Sequence, residues 1–232
     1  MTSPADSLRT NSRSAGLLRR AVIDLGALTR NISALAEGRP SLSVDGRANA
    51  YGIGLDALEP AATATGTRVS TAGMADLGPE IFGFSAPAED ARADGRARGL
   101  ETVVTLSAEV VATKRVSAGT GVSYGYTYST AADSNLALVC LGFADGIPRR
   151  ASNHAHVTIG GRRFRAVGRI AMDQFVIDLG EDSVNLGDEV IIFGDPALGH
   201  PNITEWADAA ALAPEQLSSR LGSRISFEVS DA

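Results

Sequence analysis

The stretch Ala118-Gly119-Thr120-Gly121-Val122-Ser123-Tyr124-Gly125-Tyr126-Thr127-Tyr128 lies between two runs of strand character, residues 103–116 and 136–143. Its glycines flank a Val122-Ser123-Tyr124 segment that reads as buried. Glycine permits close backbone approach and left-handed turns. A tyrosine between two such turns has its phenol held in a fixed position. A phenol titrates near about 10 in water, so it gives or takes a proton once its surroundings tune it. The same window also reads as a strand–turn–strand with structural tyrosines, and both readings stand on these residues alone.

Downstream, the period-two pattern continues. Residues 156–159 and 162–167 flank Gly160-Gly161 and read as a hairpin with a two-residue turn. Residues 175–179 and 190–193 are further strands. Thr204 opens a helix through Leu212, Pro214 opens another through Leu221, and residues 224–229 close with a strand. Upstream, residues 21–23 form a short strand and Asp24 is placed to cap a helix, since its carboxylate can accept from free backbone N–H groups. Leu25, Leu28, Ile32 and Leu35 follow at helical spacing, and Gly38 and Pro40 end the run. Residues 41–44 are a weak strand whose apolar run Asp45-Gly46 breaks. Residues 56–97 are poor in strand formers, and Ala86 to Arg98 reads as a linker with charges of both signs. The expected fold class is therefore mainly β in the C-terminal part, after a weaker α/β segment.

Composition narrows the function. The 232 residues are 44% hydrophobic and 21% charged, with net charge -6, as in a soluble globular chain of one or two domains. The acidity argues against a nucleic-acid or anionic-membrane partner. The single cysteine, Cys140, excludes an internal disulfide and reads as a buried thiol in a core strand. No apolar run has the length of a membrane span. Met1 to Arg20 is rich in Ser and Arg without an apolar core, so it reads as a disordered lead-in and not a secretory signal; the expected location is cytoplasmic. His154 and His156 share one face of an expected strand, but no Cys or carboxylate completes a metal set, so no metal site is expected. His200, before Pro201, has no evident role.

Five stretches carry a resemblance. They are Arg47-Ala48-Asn49-Ala50-Tyr51-Gly52-Ile53-Gly54, the tyrosine stretch at 118–128, Leu141-Gly142-Phe143-Ala144-Asp145-Gly146-Ile147-Pro148-Arg149, Gly168-Arg169-Ile170-Ala171-Met172-Asp173-Gln174 and Leu186-Gly187-Asp188-Glu189-Val190. In this order and spacing they resemble the alanine racemase family, the pyridoxal 5'-phosphate (PLP) isomerases that interconvert L- and D-alanine and supply D-alanine for the cell wall. The resemblance is close over about residues 98–232, partial over 20–55, and fragmentary over 56–97, where residues 77–84 look like the last barrel strand. It implies a C-terminal β-barrel-like domain at 98–232. Before it, at 20–97, it implies a truncated α/β remnant of the family's (β/α)8 PLP barrel, after a disordered N-terminus at 1–19. A complete barrel takes about 250 residues. The 77 residues from 21 to 97 allow two or three βα units at roughly 30 residues each.

The same resemblance assigns residues. Arg47 occupies the position of the PLP lysine, and a guanidinium is neither nucleophile nor base at working pH. The one lysine of the chain, Lys114, is mid-strand, where nothing places it at a cofactor. Tyr51 matches a tyrosine that contacts the cofactor phosphate, although a plain turn aromatic fits the window equally well. Ile53 replaces a histidine, Gly78 stands near the arginine that meets the pyridine nitrogen, and Pro214 replaces a second phosphate tyrosine. The arginine that supports the ring oxygen belongs to the missing segment. In contrast, Tyr124 matches the acid/base tyrosine, and Met172 and Asp173 match a loop that meets the substrate carboxylate. Asp145 and Arg149 match a turn of structural character. In the family the site is shared across a dimer, with the lysine from one subunit and the tyrosine and methionine loop from the other. The expectations are thus a degenerate racemase without independent activity (a pseudoenzyme), a subunit lending Tyr124 and Met172 in trans to a full-length racemase, or a non-catalytic β-domain binding module. The implied partners are a second copy or a full-length racemase and a small amino acid such as alanine.

Overall fold

The computed structural model describes residues 19–39, 41–84 and 99–231. The expected lead-in before residue 19, the linker from Ala86 to Arg98 and the helix stop at Pro40 lie outside the described residues. The main body is built on β4 (Val104–Val116), a 13-residue strand long enough to serve two barrel partners at different heights. Its first half pairs with β11 (Glu189–Phe193) on one edge, and its second half pairs with β7 (Ser134–Val139) on the other. From β7 the sheet continues through β10 (Phe175–Gly180), β9 (Arg162–Val167) and β8 (His156–Ile159) to β11, which returns to β4. Six antiparallel strands close a barrel, and closure removes the free edges that an open sheet would present.

Two further strands extend the sheet from β4. β1 (Arg19–Asp24) pairs antiparallel with β4, and β12 (Ser226–Ser230) pairs parallel with β1. β1, which the sequence reading grouped with the N-terminal unit, thus hydrogen-bonds within the larger sheet. The ribbon β5 (Gly121–Val122) with β6 (Tyr128–Ser129) lies between β4 and β7 along the chain. Two helices, α4 (Ile203–Ala210) and α5 (Pro214–Ser218), precede β12. Trp206 of α4 is fully buried, donates from Nε1 to the His156 carbonyl at 2.8 Å and meets Phe175 edge-on.

The N-terminal α/β unit is small. Asp24 caps α1 (Leu25–Ala36) by accepting from the Ala27 N–H at 2.7 Å, as expected. β2 (Ser43–Asp45) and β3 (Arg68–Ser70) form a parallel pair joined through α2 (Arg47–Tyr51) and α3 (Leu55–Ala64). Leu77 adds a single parallel bridge to Val44, after which Pro79–Phe82 coil as a 3₁₀ turn. The sequence reading missed α3 and β3, because alanines and threonines carry little periodicity. Among the described residues no helix is long and apolar enough to cross a membrane.

Several expectations need correction. The strand expected through residue 143 stops at Val139, because the next segment must turn to meet residues 171 and 172. The helix from Pro214 spans one turn and ends at Ser218. His154 lies in the turn before β8, so it does not share a strand face with His156. Leu106 sits at the barrel seam, in register with Ala21 on one side and Phe193 on the other, and is fully buried. Leu106→Ala is expected to cost about 2–5 kcal/mol by cavity formation, read as a lower urea midpoint with an unchanged slope.

Candidate functional site

Two sets of polar groups stand out, and they differ in how far those groups are already satisfied. The first lies at the end of β2. Asp45 is 2% exposed. Its carboxylate accepts from the Arg47 guanidinium at 2.6 and 2.9 Å, from the Arg47 backbone N–H at 2.9 Å and from the Tyr51 hydroxyl at 2.6 Å. The Arg47 hydrogen bonds, followed by that of Tyr51, outweigh desolvation and hold Asp45 down to about 2. Burial, then the hydrogen bond to Asp45, pushes the Tyr51 phenol up to about 12. Arg47 is held charged, chiefly by its hydrogen bond to Asp45.

The backbone beneath this clasp is unusual. Ala48, Asn49, Ala50 and Tyr51 all have φ between 51 and 55°, so α2 is a left-handed turn. That conformation costs L-residues roughly 1–2 kcal/mol each, and it persists only where neighbours over-determine it. Here the Asp45 clasp holds one end. At the other, the Ser218 hydroxyl donates to the Tyr51 carbonyl at 2.8 Å. Gly52 packs so closely on α5 that a Cβ there would lie 2.7 Å from the Ser218 carbonyl oxygen. Beside the clasp, Glu80 accepts from the Gly78 N–H at 2.8 Å, and a Cβ on Gly78 would sit 3.0 Å from its other oxygen and 3.9 Å from the Tyr51 hydroxyl. Pro214 opens α5, which docks on this turn.

The second set is on the barrel. Tyr124 does not lie buried between two turns, as the sequence suggested; it is 70% exposed. Ser123, Gly125 and Tyr126 all have positive φ, and this tight turn carries Tyr124 outward while Val122 stays inside. The turn is stitched to the barrel by the Ser123 hydroxyl, which donates to the Arg169 carbonyl at 2.6 Å. The four tyrosines divide cleanly. Tyr51 and Tyr128 donate to buried or half-buried carboxylates, and burial with the Asp178 hydrogen bond pushes Tyr128 up to about 12. Among the described residues the Tyr124 hydroxyl has no such partner.

Tyr124 lines a hollow of about 330 Å³ with Tyr126, Leu138, Ala171, Gln174 and Phe175. Met172 and Asp173 lie on the loop between Ala171 and Gln174, and Met172 is 55% exposed. Asp145 is fully buried beneath this loop. One of its oxygens accepts from the Gly142 N–H at 2.8 Å, and the other accepts from Arg224 Nε at 2.9 Å. Arg19 Nε is 3.1 Å from that second oxygen, but its N–H is off line, so Arg19 supplies charge without a directed hydrogen bond. Arg149 lies over the Phe143 ring at 5.5 Å. The expected structural character of Asp145 and Arg149 therefore holds, and the sequence reading missed Asp45, Arg19 and Arg224. An Asp-Gly-Arg turn could have signalled Asp45; no local pattern marks Arg224, 79 residues from Asp145. Among the described residues no hydrogen bond or ion pair joins Arg47 or Tyr51 to Tyr124 or Met172.

These features define a class: a closed β-barrel domain whose rim presents outward an exposed phenol, without a hydrogen-bond partner among the described residues, and a backbone loop. Comparison with known proteins supplies the family. The family model described as "Alanine racemase, C-terminal domain" matches residues 103–229, and the chain belongs to the alanine racemase family. Curated relatives include the alanine racemase of Frankia casuarinae, 44% identical over 167 residues (71% of this chain, 43% of that protein). That of Thermobifida fusca is 48% identical over 127 residues (55% of this chain, 34% of that protein). The chain thus spans less than half the length of these relatives. Among solved structures, the alanine racemase from D-cycloserine-producing Streptomyces lavendulae aligns with TM-score 0.73 and 24% identity, covering 92% of this chain and 97% of that one. The Bartonella henselae enzyme with covalently bound pyridoxal phosphate aligns with TM-score 0.74 and 17% identity, covering 92% and 99%. At such identities these structures speak to the fold.

The clasp generates a pH prediction. Asp45 has a folded pKa near 2 against about 3.9 unfolded. Its contribution of about 2 kcal/mol is present above pH 4 and lost as pH falls through 2, because the unfolded state binds the proton first. Asp45→Asn is expected to flatten the acid limb of stability, measured as urea midpoints at pH 7, 4, 3 and 2.

Proposed function

We propose that this chain is an alanine racemase subunit with no working cofactor site of its own, which lends Tyr124 and the Met172–Asp173 loop to the cofactor site of a full-length racemase in the cytoplasm. The single observation that carries this reading is the contrast between the two sets of polar groups. At the position that the resemblance gives to the cofactor lysine, Arg47 is spent on Asp45; on the barrel rim, Tyr124 is exposed and has no hydrogen-bond partner among the described residues.

The residues around Arg47 do not fit pyridoxal phosphate. A guanidinium cannot form an imine, and this one is fixed on a buried carboxylate. The Tyr51 hydroxyl is donated to Asp45 and is not free for a phosphate oxygen. The carboxylate of Asp45 lies 2.6 Å from that hydroxyl, where a phosphate would meet repulsion. Gly78 and Pro214 bring neither an arginine nor a second phenol. The α/β unit from α1 to Phe84 is on this reading what remains of the family's barrel, with one parallel strand pair and a third bridging residue where eight strands would close.

The rim supports the opposite role. Tyr124 Oη is in the open, on a turn anchored to the barrel, where it can give and take a proton at the α-carbon of a small amino acid presented by a partner. The adjacent loop offers backbone N–H groups to the amino-acid carboxylate. Racemization of alanine then needs the partner for the cofactor and for the other face.

Two experiments test this. The purified chain incubated with PLP and reduced with borohydride should gain no mass; a stoichiometric adduct, on Lys114 or elsewhere, would overturn the reading. Mixed with a full-length alanine racemase whose counterpart of Tyr124 is phenylalanine, the chain should restore racemization, and its Tyr124→Phe form should restore about a hundredfold less. Failure to restore activity removes the trans-acting role.

A further inference from the structure

We propose that Arg224 is a positioning residue for the substrate-facing loop: by bridging the buried Asp145 and the exposed Asp173 it holds Met172 in place, and so sets how tightly the completed site takes an amino-acid carboxylate. The inference rests on the subunit reading above and adds a residue and a physical linkage to it.

Arg224 lies just before β12, far in sequence from everything it touches. Its Nε donates to Asp145 at 2.9 Å and its Nη1 to Asp173 at 2.6 Å. The planar guanidinium reaches the two carboxylates through separate nitrogens held in a fixed fork, whereas a lysine would have to serve both from one nitrogen. Asp173 is the side chain next to Met172, so the bridge ends one residue from the rim position at issue. The loop is also held from its carbonyl side. Phe143 and Ala144 donate their N–H groups to the carbonyls of Ala171 and Met172 at 3.0 and 2.9 Å. The fit is so close that a Cβ on Gly142 would lie 2.3 Å from the Met172 carbonyl oxygen. Backbone bonds therefore set the height of the loop over the 142–145 turn, while Arg224 supplies its side-chain tether.

Charge makes the tether separable from folding. Asp145 is wholly buried and needs a cation, and Arg19 stands 3.1 Å from it beside Arg224. Removing Arg224 releases Asp173 and takes one hydrogen bond from Asp145, which keeps the Gly142 N–H as donor and Arg19 as counter-charge. The Asp173 end is half exposed, so its loss costs the fold little.

The test uses the full chain in two assays. In the free protein, hydrogen exchange of peptides covering residues 168–176 is compared with that of residues 104–110 at the barrel seam. Arg224→Met is expected to speed exchange in the loop about tenfold and leave the seam unchanged. In the mixed assembly with the full-length racemase, Arg224→Met should raise KM for alanine about tenfold with kcat within about twofold, and Arg224→Lys should fall between it and wild type. Unchanged loop exchange together with unchanged KM overturns the inference. If the seam also exchanges faster, Asp173→Asn carries the test, since it spares the Asp145 contacts: it must reproduce the KM rise, and a wild-type KM overturns the proposal. Should the wild-type chain restore no activity at all, the subunit reading fails and the claim about substrate affinity fails with it, whereas loop exchange still decides whether Arg224 holds the loop.

Discussion

The carboxylate of Asp145, wholly removed from water, is the constraint around which the rim is arranged. A buried charge is unfavourable by several kcal/mol unless paired and hydrogen-bonded. Meeting that demand brings together four segments that are remote in sequence: Arg19 at the start of β1, the Gly142 N–H, Arg224 before β12, and through Arg224 the loop at 171–173. The Asp145 backbone joins in as well, its carbonyl accepting from Gly222 at 3.0 Å. β1 and β12 lie outside the closed barrel, yet each leads to a guanidinium that faces this carboxylate. Their pairing with each other and with β4 is therefore part of what shapes the rim.

Local chemistry was legible from the residues, and long-range closure was not. The Gly160-Gly161 hairpin, the Asp24 cap and the long strand β4 depend on neighbours within a few positions, and each is where the pattern placed it, although burial along β4 does not alternate. Barrel closure depends on β4 meeting β11 some 80 residues later, and alternation fits an open sheet as well as a closed one. Tyr124 was misread for an instructive reason. Flanking glycines suggested enclosure, but consecutive positive-φ residues are also the means of projecting a side chain away from a sheet. At Asp45 the broken apolar run looked like a weak strand end. It is a buried polar site whose partners lie two and six residues downstream.

The two ends of the family pattern have reached opposite states. Around β2 the polar groups satisfy one another, and a phenol bound to a carboxylate with a pKa near 12 has no reason to release its proton at neutral pH. On the barrel the phenol of Tyr124, without a hydrogen-bond partner among the described residues, borders a hollow of mixed polar and apolar lining. A chain selected only to fold would tend to cover an exposed tyrosine and methionine or to replace them with polar residues, since contiguous apolar exposure invites association. Tyr124, Tyr126, Phe143 and Met172 are all exposed here.

The clasp and the rim are also joined mechanically. The left-handed turn at 48–51 is strained, so something must hold it, and its holders are Asp45 on one side and Ser218 on the other. Ser218 begins the segment that runs through Arg220 and Gly222 over the 145–146 turn to Arg224. An Arg47–Asp45 pair that fixes Tyr51 therefore also fixes the docking point of α5, from which the chain is led to the guanidinium that holds Asp145 and Asp173. The contacts made at Arg47 thus help to fix the turn on which α5 docks, and with it the start of the path that leads to Arg224.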